Sequence, residues 1–413
     1  MKNFDIREFG AVGDSVTMNT HAIQKTIDAC GEAGGGRVTI AEGRYLSGFI
    51  RMRSGVELHI ENDGLLLASE NTQDFPEIET DFWRTEFAPR FNKRCFIYAE
   101  GCNNIAFTGR GEINCQGVKY CEKNPDESQW ALWLYRRSKP DSIARMVFLI
   151  GCTDVLIEGL SLVDPAAGWS YWICDCDRVN VDRIKILANL HHPNSDGIHI
   201  NCSRDVTVSN SVIQCGDDAI ICRAYSSPLY APKPCERVVI TNCSITSYCN
   251  AIRIGWFNDG VIRDCTFSNL VFTNSNGGIG IVLPSTPETG RGSDQGEEHT
   301  FIEGLCFDNI RIDRHYGEPI SIKIEDRCLV KAIRDIYFRG IHSVSAYMPM
   351  FYGRPDVKLQ NINIVQSSFK IRPVEIHRDK PPLRSCNFGK KTGAVPNFSY
   401  MENFRMDGVE ISD

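Results

Sequence analysis

Apolar positions along the chain fall in a recurring frame, apolar-x-apolar-x-x-(apolar or small)-x-apolar. It reads Val155-x-Ile157-x-x-Leu160-x-Leu162, then Val179-x-Val181-x-x-Ile184-x-Ile186, Val206-x-Val208-x-x-Ser211-x-Ile213 and Val238-x-Ile240-x-x-Cys243-x-Ile245. Ile262-x-x-Cys265-x-Phe267 follows; Leu305-x-Phe307, Ile336-x-Phe338 and Ile362-x-Ile364 continue the frame, and Ile105-x-Phe107 anticipates it. From Ile157 the third-position anchors advance by 24, 27, 32 and 22 residues, to Val181, Val208, Ile240 and Ile262. A second frame lies between these units: Asp196-Gly-Ile-His-Ile200, Asp218-Ala-Ile-Ile-Cys222, Asn250-Ala-Ile-Arg-Ile254, Gly277-Gly-Ile-Gly-Ile281 and Glu318-Pro-Ile-Ser-Ile322. The alternation has period two and no helical pattern interrupts it, so each unit holds at least two short strands. Parallel strands need a long connection. Here that connection is the rest of the unit, which predicts an all-β solenoid, a single-stranded parallel β-helix with equivalent positions stacked roughly 4.8 Å apart.

A further column stands three residues ahead of each first anchor: Cys102, Cys152, Cys176, Ser203, Cys235, Phe257, Ile302, Ile333 and Leu359. Free cysteine packs as a small hydrophobe, so these thiols read as an inert core ladder. A solenoid must cover its ends, because bare terminal strands recruit other chains. Residues 20–30 predict a short N-terminal capping helix: Asn19 or Thr20 is the N-cap, Ala22, Ile23, Ile27 and Cys30 form the apolar side, and Gly31 with Gly34–Gly36 ends it. The expected organisation is one β-helical domain over 1–370, its cap over about 1–50, and an irregular tail over 371–413 packed on the helix. Insertions fall at about 71–95, 119–144, 223–234 and 284–300, where a solenoid places loops that wall a binding face. They carry Trp83, Trp130, Trp133 and Tyr135, which serve either as sugar platforms or as packing.

Composition narrows the picture by exclusion. Lys and Arg number 45 against 52 Asp and Glu, a net charge of −7, so nucleic acid and anionic membrane surfaces are not expected partners. No apolar run approaches a membrane span. The 18 cysteines include no C-x-x-C pair and no Cys–His cluster at zinc-finger spacing, so no metal site is expected. Residues Met1–Glu8 contain no apolar stretch of a secretion signal, and a cytoplasmic location is expected from that.

The chemistry concentrates in the second frame. Asp196 and Asp218 open equivalent strands and should stack on neighbouring coils, with Asp217 beside Asp218. A single Asp before a strand commonly bonds local backbone N–H groups. Three carboxylates at one corner repel one another and raise at least one pKa, an arrangement that costs energy unless it does chemistry. Inverting glycoside hydrolysis uses such a set: one protonated carboxyl gives its proton to the glycosidic oxygen, and another, ionised, activates water on the opposite face of the sugar. Arg253 occupies the fourth position of the next equivalent strand and should point outward between Ile252 and Ile254, where a guanidinium suits a carboxylate or a hydroxyl pair. His199 holds the same column two coils earlier, with Ile221 between.

At these residues the chain resembles the polygalacturonase-like glycoside hydrolases of family 28, built on the pectate-lyase-like right-handed parallel β-helix, from about residue 4 to 370. Phe9-Gly-Ala-Val-Gly-Asp14, Thr20-x-Ala-Ile-Gln24 and Gly34-Gly-Gly-Arg-Val38 are similar to that superfamily's N-terminal cap. Asn194-Ser195-Asp196-Gly197 resembles the family's Asn-Thr-Asp-Gly, Gly216-Asp217-Asp218 its (Gly/Gln)-Asp-Asp, and Asn250-Ala251-Ile252-Arg253-Ile254 the strand ending in Arg-Ile-Lys. The resemblance implies an inverting mechanism without cofactor or metal. Asp217 would be the general acid, Asp196 and Asp218 would hold and deprotonate the water, and Asn194, His199, Asn250 and Arg253 would bind substrate. Three departures stand out. No Gly-His-Gly follows Asp218, where a Pro-rich loop, Ala224 to Pro234, stands instead. Gly255 replaces the lysine that helps hold a uronate carboxylate, leaving that task to Arg253, Arg223, Lys233 or Arg291. His199 stands where the family often has another Asp.

The expected activity is therefore hydrolysis of pectin-type oligosaccharides, galacturonide or rhamnogalacturonan-like, by exo-action on short chains. The alternatives are a neutral sugar at the cut site, in keeping with Gly255; a polysaccharide lyase on the same fold, with Ca²⁺ on the aspartates; and a non-catalytic carbohydrate-binding β-helix.

Overall fold

Both members of each apolar-x-apolar pair turn inward: Val155, Ile157, Val179, Val181, Val206, Val208, Val238 and Ile240 are all buried in one continuous core. The computed structural model, which describes residues 2–125, 134–139, 141–284, 296–372 and 397–412, stacks them in register as parallel strands. Val155 lies opposite Val179, Val179 opposite Val206, and Val206 opposite Val238. The coils form a right-handed parallel β-helix, as in the solved structures described below. The residue just before the first anchor is left-handed on successive coils: Asn104, Asp154, Arg178, Asp205, Arg237 and Asp264 all have φ between 52° and 55°. One such dihedral redirects the strand, and Asn and Asp tolerate it better than most residues.

The cysteine column has a chemical reason beyond size. Cys102, Cys152 and Cys176 each donate Sγ–H to the carbonyl two residues back, Glu100, Ile150 and Cys174, and Ser203 Oγ does the same to Asn201. A small side chain with one donor closes this corner, which is why Ser and Cys interchange in it. The ladder is sealed: hydrogen bonding with Cys152, then burial, pushes the Cys102 thiol far up.

The register corrects the frame at one coil. Ile240 pairs with Phe267, and Ile262 pairs with Cys235. Ile262, not Phe257, therefore occupies the column, and Phe257 packs half-buried in the excursion before the strand Val261–Thr273. Ile262-x-x-Cys265 imitates the x-x spacing in the second half of the frame, so two alignments share the same alternation.

Helix α1, Thr20–Glu32, covers the N-terminal end and buries Ala22, Ile23, Thr26, Ile27 and Cys30. Asn19 holds the N-cap position, one of the two expected, but its side chain makes no capping bond. The Asn19 side chain binds Val12 N and the carbonyls of Val12, Thr17 and Leu46, stitching the preceding turn to a strand, and Thr20 Oγ1 accepts from Gly48 N. Gly31, expected to end the helix, lies inside it, where a side chain would collide with Arg53. The chain leaves the helix through left-handed Gly34 and Gly35.

The tail expected to be irregular adds structure. Residues 397–399, 401–402, 405–407 and 410–412 pair in parallel with 350–352, 359–360, 363–365 and 368–370, forming a further coil. Phe398 stacks on Phe351, while Met401, Phe404 and Val409 pack on the core, so enough apolar surface survives to extend the stack.

Among the described residues, an 11-stranded parallel sheet runs from Ile50–Arg51 to Asn397–Ser399, one strand per coil. It carries the second sequence frame and with it the candidate site.

Candidate active site

Ile198 lies opposite Ile220 and Ile220 opposite Ile252; Gly197 N donates to Asp218 O, and Ala219 N to Asn250 O. Asp196, Asp218 and Asn250 therefore open successive strands at equivalent places. The isoleucines face the core. The intervening residues face outward in one column, His199 opposite Ile221 and Ile221 opposite Arg253. Asp196, Asp217, Asp218, His199, Asn194 and Arg253 all line one small pocket, a cavity of about 70 Å³.

Each carboxylate is held differently. Asp217 Oδ1 accepts the Asp218 N–H at 2.9 Å and Oδ2 accepts Asn194 Nδ2 at 3.1 Å. Asn194 reaches it from a left-handed backbone, φ 53°. Asp218 Oδ1 accepts two donors from Asn250, the backbone N at 2.9 Å and Nδ2 at 2.7 Å. Asn250, expected at the substrate, is instead wholly buried behind Asp218. Gly277 and Gly280 make the room: a Cβ on either would lie 2.4 or 2.7 Å from Asn250 Oδ1. Asp196 Oδ2 lies 3.0 Å from His199 Nε2, while its Oδ1 is buried without a hydrogen-bond partner among the described residues. Burial, with a smaller push from the charge of Asp218, raises the Asp196 carboxyl to about 7 against the pull of Arg90. Burial, followed by the charge of Arg223, drives the His199 imidazole well below its ordinary value.

Arg253 is fixed rather than mobile. Its guanidinium donates to Val282 O at 2.7 Å and Gly255 O at 3.3 Å, and lies 4.5 Å from the centre of the Trp256 ring. Gly255, which turns left-handed at φ 71°, reaches the pocket as backbone.

Sequence reasoning missed three wall residues, Arg90, Trp169 and Trp256, and named a fourth, Arg223, without placing it. Arg90 comes from the insertion at 71–95 and holds φ 60° in the short turn Pro89–Phe91. Trp169 opens the strand Trp169–Cys174 one coil before Asp196. Trp256 stands three residues after Arg253. Arg223, unplaced from sequence, lines the pocket and forms a buried two-pronged pair with Asp259 at 2.7 and 3.0 Å. The readable signals were the Arg within an expected wall and the Trp just beyond the Arg253 strand. Lys233 pairs with Asp175 outside the pocket, and Arg291 lies outside the described residues. Of the four loop aromatics, Trp83 is core packing against Phe148 and Trp172, and Tyr135 meets His192 edge-on; Trp130 and Trp133 lie outside the described residues. A larger groove of about 1070 Å³ crosses the outer face elsewhere, but three of its acids are matched by arginines, Glu57 by Arg37, Asp154 by Arg178 and Glu158 by Arg183.

Fold and pocket together define a parallel β-helix that gathers three aspartates from adjacent coils into an arginine- and tryptophan-walled cavity. The chain belongs to glycosyl hydrolases family 28, whose model matches residues 82–346. It is similar to a probable polygalacturonase of Vitis vinifera, 24% identical over 313 residues that cover 74% of this chain and 60% of the relative. It is also similar to an exo-poly-alpha-D-galacturonosidase of Dickeya chrysanthemi, 24% identical over 331 residues that cover 71% of this chain and 53% of the relative. The chain thus matches between half and three fifths of these relatives' lengths. Among solved structures it shares its fold with the family 28 exopolygalacturonase of Yersinia enterocolitica (TM-score 0.71, 17% identity, all of this chain and 78% of that one). The exopolygalacturonase of Thermotoga maritima is comparable (TM-score 0.69, 17% identity, all of this chain and 92% of that one).

Proposed function

We propose that the protein is an inverting glycoside hydrolase that removes galacturonide or rhamnogalacturonan-like units from the ends of pectin-type oligosaccharides. The observation that carries this reading is the convergence of Asp196, Asp217 and Asp218 on one pocket, in the motif order of the family to which the chain belongs. In the proposed reaction Asp217 gives its proton to the glycosidic oxygen as the bond from that oxygen to the anomeric carbon breaks. A water held by Asp218 and Asp196 attacks the opposite face. Its oxygen bonds to the anomeric carbon and its proton passes to the base carboxylate, leaving a product of inverted anomeric configuration.

The wall supports an anionic sugar. Arg90, Arg223 and Arg253 line the pocket, so guanidinium charge is present although Gly255 stands where the family has lysine. The small cavity and the exo-acting relatives support release from chain ends. The test is NMR of the reducing end released from defined galacturonide oligosaccharides. The expected first product is the monomeric end sugar with inverted anomer. Retention of configuration or an unsaturated product overturns the reading, and faster turnover of a neutral-sugar end moves the substrate class.

A further inference from the structure

Behind Asp196 lies a stack that, among the described residues, has no counterpart at the other two aspartates. His199 packs face to face on Trp169, with ring centroids 3.6 Å apart and planes 13° from parallel. Trp169 in turn faces the guanidiniums of Arg145 at 4.8 Å and Arg90 at 5.3 Å. Arg145, itself buried, donates to Asn92 O at 2.6 Å and Pro89 O at 2.8 Å, bracketing the left-handed Arg90 and tying the loop to the sheet. The imidazole therefore cannot swing, and its Nε2 is aimed at Asp196 Oδ2.

We infer that His199 is a positioning residue for Asp196: its Nε2–H holds Oδ2, so that Oδ1 is presented to the attacking water. This rests on the hydrolase reading above. A buried carboxylate oxygen left without a partner is costly unless water or substrate completes it, and Asp196 Oδ1 is such an atom on a pocket-lining residue. In the working state Asp196 is ionised and His199 is neutral with its proton on Nε2. As the water's O–H bond breaks, the proton goes to Oδ1 while the Nε2–H···Oδ2 bond persists. A histidine suits this place better than a second aspartate, because a carboxylate would set a like charge against Asp196 and could not stack on Trp169. The groups that set the balance come from every side: Asp218 on the next coil, Arg90 and Arg137 facing Asp196, and Arg223, Arg90 and Arg145 facing His199. Burial, then the charge of Arg223, favours neutral imidazole, consistent with the assigned tautomer.

The test compares pH profiles of kcat and KM for the wild type, His199→Phe and His199→Gln on a defined galacturonide oligosaccharide. His199→Phe keeps the stack but loses the donor. It is expected to lower kcat about 30-fold with little change in KM, and to move the acid limb of kcat up by about one pH unit, since the ionised carboxylate loses its hydrogen bond. His199→Gln restores a donor and should recover much of both. Nitrogen-15 NMR of labelled histidine in the wild type reads the tautomer directly, without turnover, and should place the proton on Nε2. An unshifted acid limb in His199→Phe, equal losses in both variants, or a proton on Nδ1 at neutral pH overturns the inference. Asp217→Asn separates the two levels. If it stays active, the hydrolase reading fails. If it is dead while His199→Phe behaves as wild type, only the role of His199 fails.

Discussion

Aspartate and arginine are stacked coil upon coil in two regions of this molecule, with opposite results. On the outer corners Asp154 pairs with Arg178 and Asp205 with Arg237, each acid gripped by two guanidinium nitrogens in open solvent. There the arginines hold the Asp154 and Asp205 carboxyls below their usual range. In the pocket Asp196 has no guanidinium directly upon it among the described residues, is almost wholly buried, and its carboxyl is raised to about 7. The same residue types at the same coil spacing make a ladder in one place and, in the proposed mechanism, a proton-transfer site in the other. What separates them is whether charge is matched before water is removed.

The largest effect should come from breaking the pocket side of this comparison. Asp217→Asn should lower kcat at least 100-fold, about 2.7 kcal/mol of barrier, with Tm unchanged or higher because a crowded charge is lost. Steady-state kinetics and a thermal melt check both halves. Next, Asn250→Ala removes a buried donor from Asp218 while leaving the backbone one. It should cost about 1–3 kcal/mol of stability and lower kcat roughly tenfold, read by urea unfolding and kinetics.

The pH dependence sharpens the contrast in sign. Folded Asp196 binds its proton up to about pH 7, whereas an unfolded Asp releases it near 4, so between these values the folded chain holds more protons. Stability from this group is therefore present below about pH 4 and is lost as pH rises toward 7. Asp196→Asn removes that slope, and the Tm of the variant minus that of the wild type should widen from pH 4 to 7 and then level off. Asp205 has the opposite sign: its folded pKa is depressed by Arg237, so its contribution is lost as pH falls. The smallest effect belongs to the exposed ladder. Arg178→Ala should leave Tm and turnover where they were, as exposed pairs are screened by water and salt.

The solenoid was legible because its signal is long-range repetition: Val155, Val179, Val206 and Val238 announce a register before any contact is known. Asp196, Asp217, Asp218, His199 and Arg253 were legible because they ride on that register. Ile262 was misaligned because its neighbourhood satisfies two frames, and only packing chooses between them. Asn250 was placed at the substrate because a polar side chain opening a strand next to Asp218 looks like a ligand. Its burial depends on Gly277 and Gly280, a coil away. Arg90 and Trp169 were missed for a different reason. The first enters through a loop whose path is set by Arg145, and the second precedes the aspartate frame by one coil without sharing its pattern. The last coil was missed because its strands are only two or three residues long.

The left-handed residue ahead of each first anchor bears on how such a protein can change. Ser203 and Cys235 stand on adjacent coils and are joined by a bond from Glu236 N to Ser203 O, although the Pro-rich stretch 224–234 lies between them. Direction is reset locally at Asp205 and again at Arg237, so the length of the intervening detour does not propagate into the floor of the pocket. Walls can then be lengthened, shortened or exchanged over generations while the aspartates keep their mutual alignment. Diversity of diet, in such an architecture, is a matter of rewriting detours.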